Sequence, residues 1–250
     1  METITSLKNP RVQTWRSLKD AKGRRETGCF LVEGRKSVTE AIASGFAVEA
    51  VLVDETMADA FELPAGAPVY ALPAHVLGAV CDTKTPQGIA AVMRMAQTRR
   101  VGLRVVALDG VQDPGNVGTI IRTADAAGFD GVLLSAQCAD VFSPKVLRAT
   151  MGSVFHLPIE VTDDLPGRLR AMQAEGACVI SSQLEDASPF FEGCGDVGNR
   201  FVLVIGNEGN GVSDAVKALA DRRLMLPMRG QAESLNAAVA AGIMMYALMR

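Results

Sequence analysis

The chain has 250 residues, 48% hydrophobic and 21% charged, with a formal net charge of −3. That is ordinary globular composition, and enough chain for one large domain or two modest ones. The acidic balance argues against a nonspecific coat for nucleic acid.

Taken in order, residues 1–22 read as helical after Asn9-Pro10, with Val12, Trp15 and Leu18 at helical spacing and Trp15 as a core anchor. The stretch KGRRETG at 22–28 reads as a basic loop. A short strand at 29–32, a helix over 34–44 ended by Gly45, strands at 48–53 and 68–72, a helix from about 73 to 80 and a strand at 89–95 follow. Residues 1–96 therefore form a small α/β unit of their own. The polar stretch QTRRVG at 97–102 reads as a linker. Residues 1–36 carry nine Lys or Arg against four acids, a net of +5, which leaves −8 for the remainder. A basic leading segment on an acidic body fits a polyanion contact, with Lys8, Arg11, Lys22, Arg24, Arg25, Arg35 and Lys36 as its candidates; a solvated helix face is the alternative.

The second unit, 103–250, opens with a strand at 103–108, a loop at 109–116 and a helix over 117–127 with Gly128 as its C-cap. The strand at 131–134 closes a βαβ unit. A further helix spans the 143–149 and 152–155 region, followed by a strand at 155–160, a helix at 165–175, a strand at 177–181 and a glycine-rich loop at 189–199. A buried strand at 201–205 runs into Gly206-Asn207-Glu208-Gly209-Asn210-Gly211, too glycine-rich for helix or strand. Ser213 and Asp214 open a short helix to about 220. An apolar run at 224–227 leads into a loop at 228–233 and a last helix capped by Ser234 or Asn236. The apolar stretch 235–249 is too short and too rich in alanine to span a membrane, and reads as a buried helix. Two strand-loop-helix passages in the last fifty residues place two loops at the kind of sheet edge where open α/β sheets bind ligands.

Gly110, Gly115 and Gly118 are spaced G-x4-G-x2-G, which is neither a dinucleotide fingerprint nor a P-loop. His75 and His156 adjoin no nucleophile motif, so a hydrolase triad lacks support. Five scattered cysteines, Cys29, Cys81, Cys138, Cys178 and Cys194, form no CxxC pair. They suggest reduced thiols in a cytoplasmic protein with no zinc site, and nothing else suggests a metal. What remains is Asn116 at a helix cap, Arg122 in the second turn of that helix, Glu208 in its glycine loop, and Ser234 and Asn236 opening an apolar helix. Such a set, around loops that expose main-chain groups, suits binding and orienting a polar cofactor for group transfer. Taken singly, each also reads as a cap, a turn residue or a solvated arginine.

Asn116-Val117-Gly118-Thr119-Ile120-Ile121-Arg122, then Gly206-Asn207-Glu208-Gly209, then Leu226-Pro227-Met228 through Ser234-Leu235-Asn236, resemble in order and spacing the three motifs of the SpoU (TrmH-like) RNA 2′-O-ribose methyltransferases of the SPOUT class. Phe30-Leu31-Val32-Glu33-Gly34 and Asp82-Thr83-Lys84-Thr85-Pro86-Gln87-Gly88 resemble the substrate-binding domain of the rRNA-modifying branch. The resemblance implies an α/β fold: a C-terminal SPOUT domain with a deep trefoil knot, plus a smaller N-terminal α/β domain. It implies S-adenosylmethionine bound against Val204, Ile205, Gly206, Asn207, Gly209, Leu226, Met228, Ser234 and Leu235. It implies a homodimer whose site is shared between subunits. Arg122 would be the central catalytic residue, with Asn116, Glu208, Ser234 and Asn236 in support. Arg122 would bind a phosphate and polarise the 2′-hydroxyl, since a guanidinium stays protonated and makes a poor base; Glu208 would orient Arg122 or the loop. The substrate implied is rRNA. The same chemistry on tRNA and a catalytically silent RNA-binding or ribosome-assembly factor are the alternatives.

Overall fold

The computed structural model describes residues 1–61, 66–95 and 100–249. Residues 97–99 of the linker expected at 97–102 lie outside the described residues. The chain packs as two units, Met1–Gln97 with Phe142–Phe155, and Thr98–Val141 with His156–Arg250.

In the first unit β1 (Glu2–Thr3) precedes α1 (Pro10–Ser17), α2 (Ala21–Thr27), β2 (Cys29–Glu33), α3 (Arg35–Ala43), β3 (Val48–Asp54), β4 (Val69–Leu72), α4 (Ala74–Val80) and β5 (Ile89–Arg94). The strands form a mixed sheet in the order β1-β4-β3-β5-β2. Asn9 accepts from Arg11 N and Pro10 fills the first turn, a strong start signal for α1. That turns Val12, Trp15 and Leu18 into a core with Leu31, Leu52, Leu72 and Leu77. The stretch read as a basic loop is instead the helix α2, ended by Gly28 in the left-handed conformation at φ 65°. Its Arg24 is 3% exposed and donates to the carbonyls of Leu18 and Lys19 at 2.7 and 2.8 Å. The carbonyls at the end of a helix need such donors, so Arg24 is a structural cap of α1 and not a polyanion contact. Arg11 pairs with Glu2 at 2.8 Å and lies over the Tyr70 ring. Arg35 donates to the Ala60 carbonyl. Lys8, Lys22, Arg25 and Lys36 stay exposed.

The second unit is built on parallel strands throughout. β6 (Arg104–Asp109), α5 (Pro114–Ala127) and β7 (Gly131–Ser135) form its first βαβ unit. The chain then carries α6 (Pro144–Thr150), whose segment Phe142–Phe155 belongs with the first unit. There Phe142 and Phe155 meet Phe30, at ring-centroid distances of 4.5 and 6.5 Å, and Phe46 packs edge-on to Phe155 at 5.6 Å. The contiguous division expected from sequence does not account for this segment. Phe30→Ala should destabilise the first unit by about 3–5 kcal/mol, the usual cost of emptying a buried phenylalanine site, read as a lower urea midpoint; a loss below about 1 kcal/mol would mean that the four rings do not act as one core.

The second unit continues through β8 (Ile159–Thr162), α7 (Leu165–Ala174), β9 (Cys178–Ser182), β10 (Ser188–Pro189), α8 (Phe190–Gly193), β11 (Phe201–Gly206), α9 (Asp214–Leu219), β12 (Arg222–Met225) and α10 (Ala237–Leu248). The sheet order is β10-β12-β9-β11-β6-β7-β8. The strand order reverses beside β6, whose neighbours are β7 on one side and β11 on the other. In open α/β sheets the crevice at the carboxyl ends of such strands takes the ligand. The strand expected at 155–160 lies later, at Ile159–Thr162, because Ser153–Phe155 form a 3-10 turn. The run expected at 224–227 lies earlier, held by the pairing of Arg222 with Ile180 and Leu224 with Ser182. The expected loop at 189–199 includes the short helix α8. The last helix is not wholly buried: Val239, Ile243 and Tyr246, spaced along one face, are 52%, 40% and 54% exposed.

Candidate active site

The loops that follow β6 and β11 leave adjacent strands at the same edge, with Gly206 paired opposite Asp109. Gly206 has to be glycine, because a Cβ there would lie 2.1 Å from the Gly211 carbonyl carbon. Asn207 holds the turn: its Oδ1 accepts from Gly209 N and Asn210 N, and its Nδ2 donates to the Gly110 carbonyl at 2.8 Å. The Asp109 carboxylate accepts from Ser213 N at 2.7 Å. The two loops are thus stitched into one surface.

Glu208 completes the stitching. Its carboxylate accepts from Gln112 N (3.2 Å), Asp113 N (3.1 Å) and Asn116 Nδ2 (2.9 Å). Asn116 then uses its Oδ1 to accept from Asn236 Nδ2 at 2.9 Å. Glu208 can only accept, so it fixes the orientation of the Asn116 amide, and Asn116 in turn fixes that of Asn236. Asn116 is not the cap of α5. Asp113 is, accepting from Asn116 N at 2.8 Å with Pro114 in the first turn, so the helix starts three residues before the expected point. That frees the Asn116 side chain for the network. Asn236 caps α10 by accepting from Ala238 N and Val239 N, and Ser234 does not.

Burial works against charge on Glu208, but the Asn116 amide and the surrounding main-chain N–H groups outweigh it and hold the carboxyl below the usual carboxylate range. Its folded value is depressed, so its contribution to stability is present above the ordinary value of about 4.3 and is lost as the pH falls through the depressed one. Glu208→Gln should therefore be less stable than the wild type at pH 7, with the gap closing on acidification. A gap that is constant from pH 7 to pH 3 in urea titrations would contradict the clamp.

Beside this network lies a cavity of about 360 Å³. Of the residues expected to hold a cofactor, Ile205, Gly206, Asn207, Gly209, Leu226, Met228, Ser234 and Leu235 all line it. Val204 does not: it points into the core with Val105, Ala107, Leu133 and Val202. Glu208 and Asn236 line the cavity as well, and Glu208 is the one ionisable side chain of its wall among the described residues. Arg122 lies outside the wall, exposed on α5, and makes no side-chain hydrogen bond or ion pair with a described residue. The structure therefore brings Asn116, Glu208 and Asn236 together and leaves Arg122 apart in the same chain.

Sequence reasoning missed Ser182, Gln183 and Leu184, which reach the wall from the end of β9. Only the sheet order beside β11 could have pointed to them. It also missed Ala240 and Met244 on α10; their helical spacing from Ala237 was the available signal.

Residues 226–235 make no hydrogen bond with any described residue. Leu226 is buried and Met228 half-buried, where main-chain groups need partners; with Ser234 and Leu235 they are the wall residues of this stretch and are open to a ligand. Burial raises the Cys138 thiol, beside Ser135 Oγ, and pushes Cys81 up to about 12, so neither serves as a thiolate at neutral pH. No described helix is long and apolar enough to cross a membrane.

Residues 103–246 match the SpoU rRNA Methylase family, and residues 9–91 match the MRM3-like substrate binding domain. The chain is 43% identical over 249 residues to the 23S rRNA (guanosine(2553)-2'-O)-methyltransferase RlmP of Bacillus subtilis (strain 168), covering 99% of both chains. It superposes on the AdoMet-bound rRNA methyltransferase from Sinorhizobium meliloti with a TM-score of 0.86 at 33% identity, over 98% of this chain and 96% of that one. It superposes on the SpoU methyltransferase AviRb from Streptomyces viridochromogenes, solved in complex with the cofactor AdoMet, with a TM-score of 0.85 at 30% identity, over 97% of each chain.

Proposed function

The chain belongs to the SpoU rRNA methylase family, and from that premise we propose that it transfers a methyl group from S-adenosylmethionine to the ribose 2′-hydroxyl of a guanosine in 23S rRNA. The observation that carries the reading is the cavity itself, with Leu226, Met228, Ser234 and Leu235 in its wall and the Glu208–Asn116–Asn236 network at its edge.

The residues present fit the cofactor. Ile205, Leu226, Met228 and Leu235 offer apolar walls, and the main chain of Leu226, Met228, Ser234 and Leu235 offers donors and acceptors of the kind an adenine and an amino acid group need. Glu208 makes the wall negative, which favours a cationic ligand. S-adenosylmethionine, when bound, supplies a methyl group already activated on a sulfonium. The chain then has to orient the ribose, exclude water and help the 2′-hydroxyl lose its proton. Glu208 is held below the usual carboxylate range and spent on three donors, which makes it a poor base; it fixes the loop instead.

Arg122 is the group that meets the RNA phosphate and polarises the hydroxyl. It serves the cavity of a second copy: α10 packs on α5 and presents Val239, Ile243 and Tyr246 outward, an apolar stripe suited to a homodimer that carries each Arg122 to the other protomer. The family's trefoil knot and a cytoplasmic location belong to the same reading. Ile243→Glu should give monomers in sedimentation velocity and abolish transfer; a fully active monomer would sink the shared site.

The relative's target, guanosine 2553 of 23S rRNA, is extended to this chain because the match runs through the substrate-binding domain at 9–91. Lys8, Lys22, Arg25 and Lys36 remain as exposed cations for that domain's RNA contact. Labelled S-adenosylmethionine offered with unmodified 23S rRNA and with tRNA should place label in the 23S rRNA alone. Label in tRNA alone would move the substrate class, and none in either would overturn the reading.

A further inference from the structure

The wall of the cavity has no cation among the described residues; its one ionisable side chain is the Glu208 carboxylate. A ribose in an RNA strand arrives with a phosphate on each side. A negative wall repels both, and phosphate contacts are what position a strand. In the reading above Arg122 of a second copy meets one of them, which leaves the other for a cation at the rim. Arg229 follows directly on the wall residue Met228, inside the strip 226–235 that makes no hydrogen bond with the rest of the described chain. It is exposed and has no hydrogen bond, ion pair or ring contact with a described residue. Neither Arg229 nor Arg223, the exposed arginine six residues earlier on β12, is itself a wall residue, but Arg229 adjoins one and Arg223 does not.

We propose that Arg229 is a positioning residue that anchors an RNA backbone phosphate at the cavity mouth, setting RNA affinity and leaving cofactor affinity alone. The proposal rests on the methyltransferase reading for the identity of the polyanion. Its planar fork suits a phosphate, and its place beside Met228 sets the anchored phosphate next to the cofactor-binding wall.

The test is binding of full-length protein to transcribed 23S rRNA across a salt series, beside calorimetric titration with S-adenosylmethionine. Arg229→Ala should weaken RNA binding by about tenfold and lower the slope of log affinity against log salt by about 1, as the loss of one phosphate contact does. S-adenosylmethionine affinity should stay within about twofold, Arg229→Lys should keep most of the slope, and Arg223→Ala should change neither quantity. Wild-type RNA affinity and slope in Arg229→Ala would overturn the proposal. So would an equal loss in Arg223→Ala, which would mean diffuse charge, or a parallel loss of S-adenosylmethionine affinity, which would assign Arg229 to the cofactor. The binding comparison needs no turnover, so a wild-type protein that binds this RNA but transfers no methyl would sink the transferase reading separately.

Discussion

Arg122→Ala is expected to lower the rate of methyl transfer by about 10²–10³-fold while the protein stays folded and binds S-adenosylmethionine as before. The magnitude is that of removing one preorganised donor from a developing negative charge. The selectivity follows from position. Arg122 is exposed on α5 and makes no hydrogen bond or ion pair with a described residue. Its loss removes no packing and strands no partner, and such surface changes usually alter stability by less than about 0.5 kcal/mol. It is absent from the cavity wall of its own chain, so the cofactor's contacts there stay intact. Arg122→Lys should recover little, because an ammonium cannot make the paired contacts of a guanidinium. Single-turnover rates, calorimetry and a thermal melt separate the three quantities. Loss of transfer, cofactor binding and melting temperature together would show a structural role instead.

Glu208→Ala is expected to fail differently, losing cofactor affinity and transfer together. Three donors converge on the carboxylate, from Gln112 N, Asp113 N and Asn116 Nδ2, and without it all three lose their acceptor. Asn116 is buried, and a buried donor left unpaired costs about 1–3 kcal/mol. Freed, its amide no longer has a fixed orientation to offer Asn236, which both caps α10 and lines the cavity. We expect S-adenosylmethionine to bind about 10–100-fold more weakly, the range that 1.4–2.8 kcal/mol corresponds to. Glu208→Gln should rescue little, since an amide brings one acceptor oxygen to three donors and a donor of its own. Wild-type cofactor affinity in Glu208→Ala would show that the network is incidental to the cavity.

The parts of the site that are legible in the sequence are those where local chemistry is unusual. A glycine loop after a buried strand, and polar residues opening an apolar helix, have few explanations, so Asn207, Glu208 and Asn236 stand out by their neighbours alone. Parity along a strand separates Val204 from Ile205: they are adjacent, and only one can face the cavity. The expected start of α5 at Asn116 is misplaced, although its signal stands in the chain as Asp113-Pro114, a cap followed by proline in the first turn. Other features depend on distant packing. Nothing local to KGRRETG says that Arg24 turns back onto the carbonyls at the end of α1. Nothing within residues 142–155 says that two of its phenylalanines complete the core around Phe30. The open face of α10 is hidden by composition, because a helix apolar all round reads as buried whether its last face is covered by its own chain or is left for another.

The most direct measurement is nucleoside mass spectrometry of unmodified 23S rRNA after incubation with the purified protein and S-adenosylmethionine. One new nucleoside is expected, a guanosine methylated on its ribose. A methyl group on a base, or RNA returned unmodified by a protein that binds both partners, would contradict that expectation.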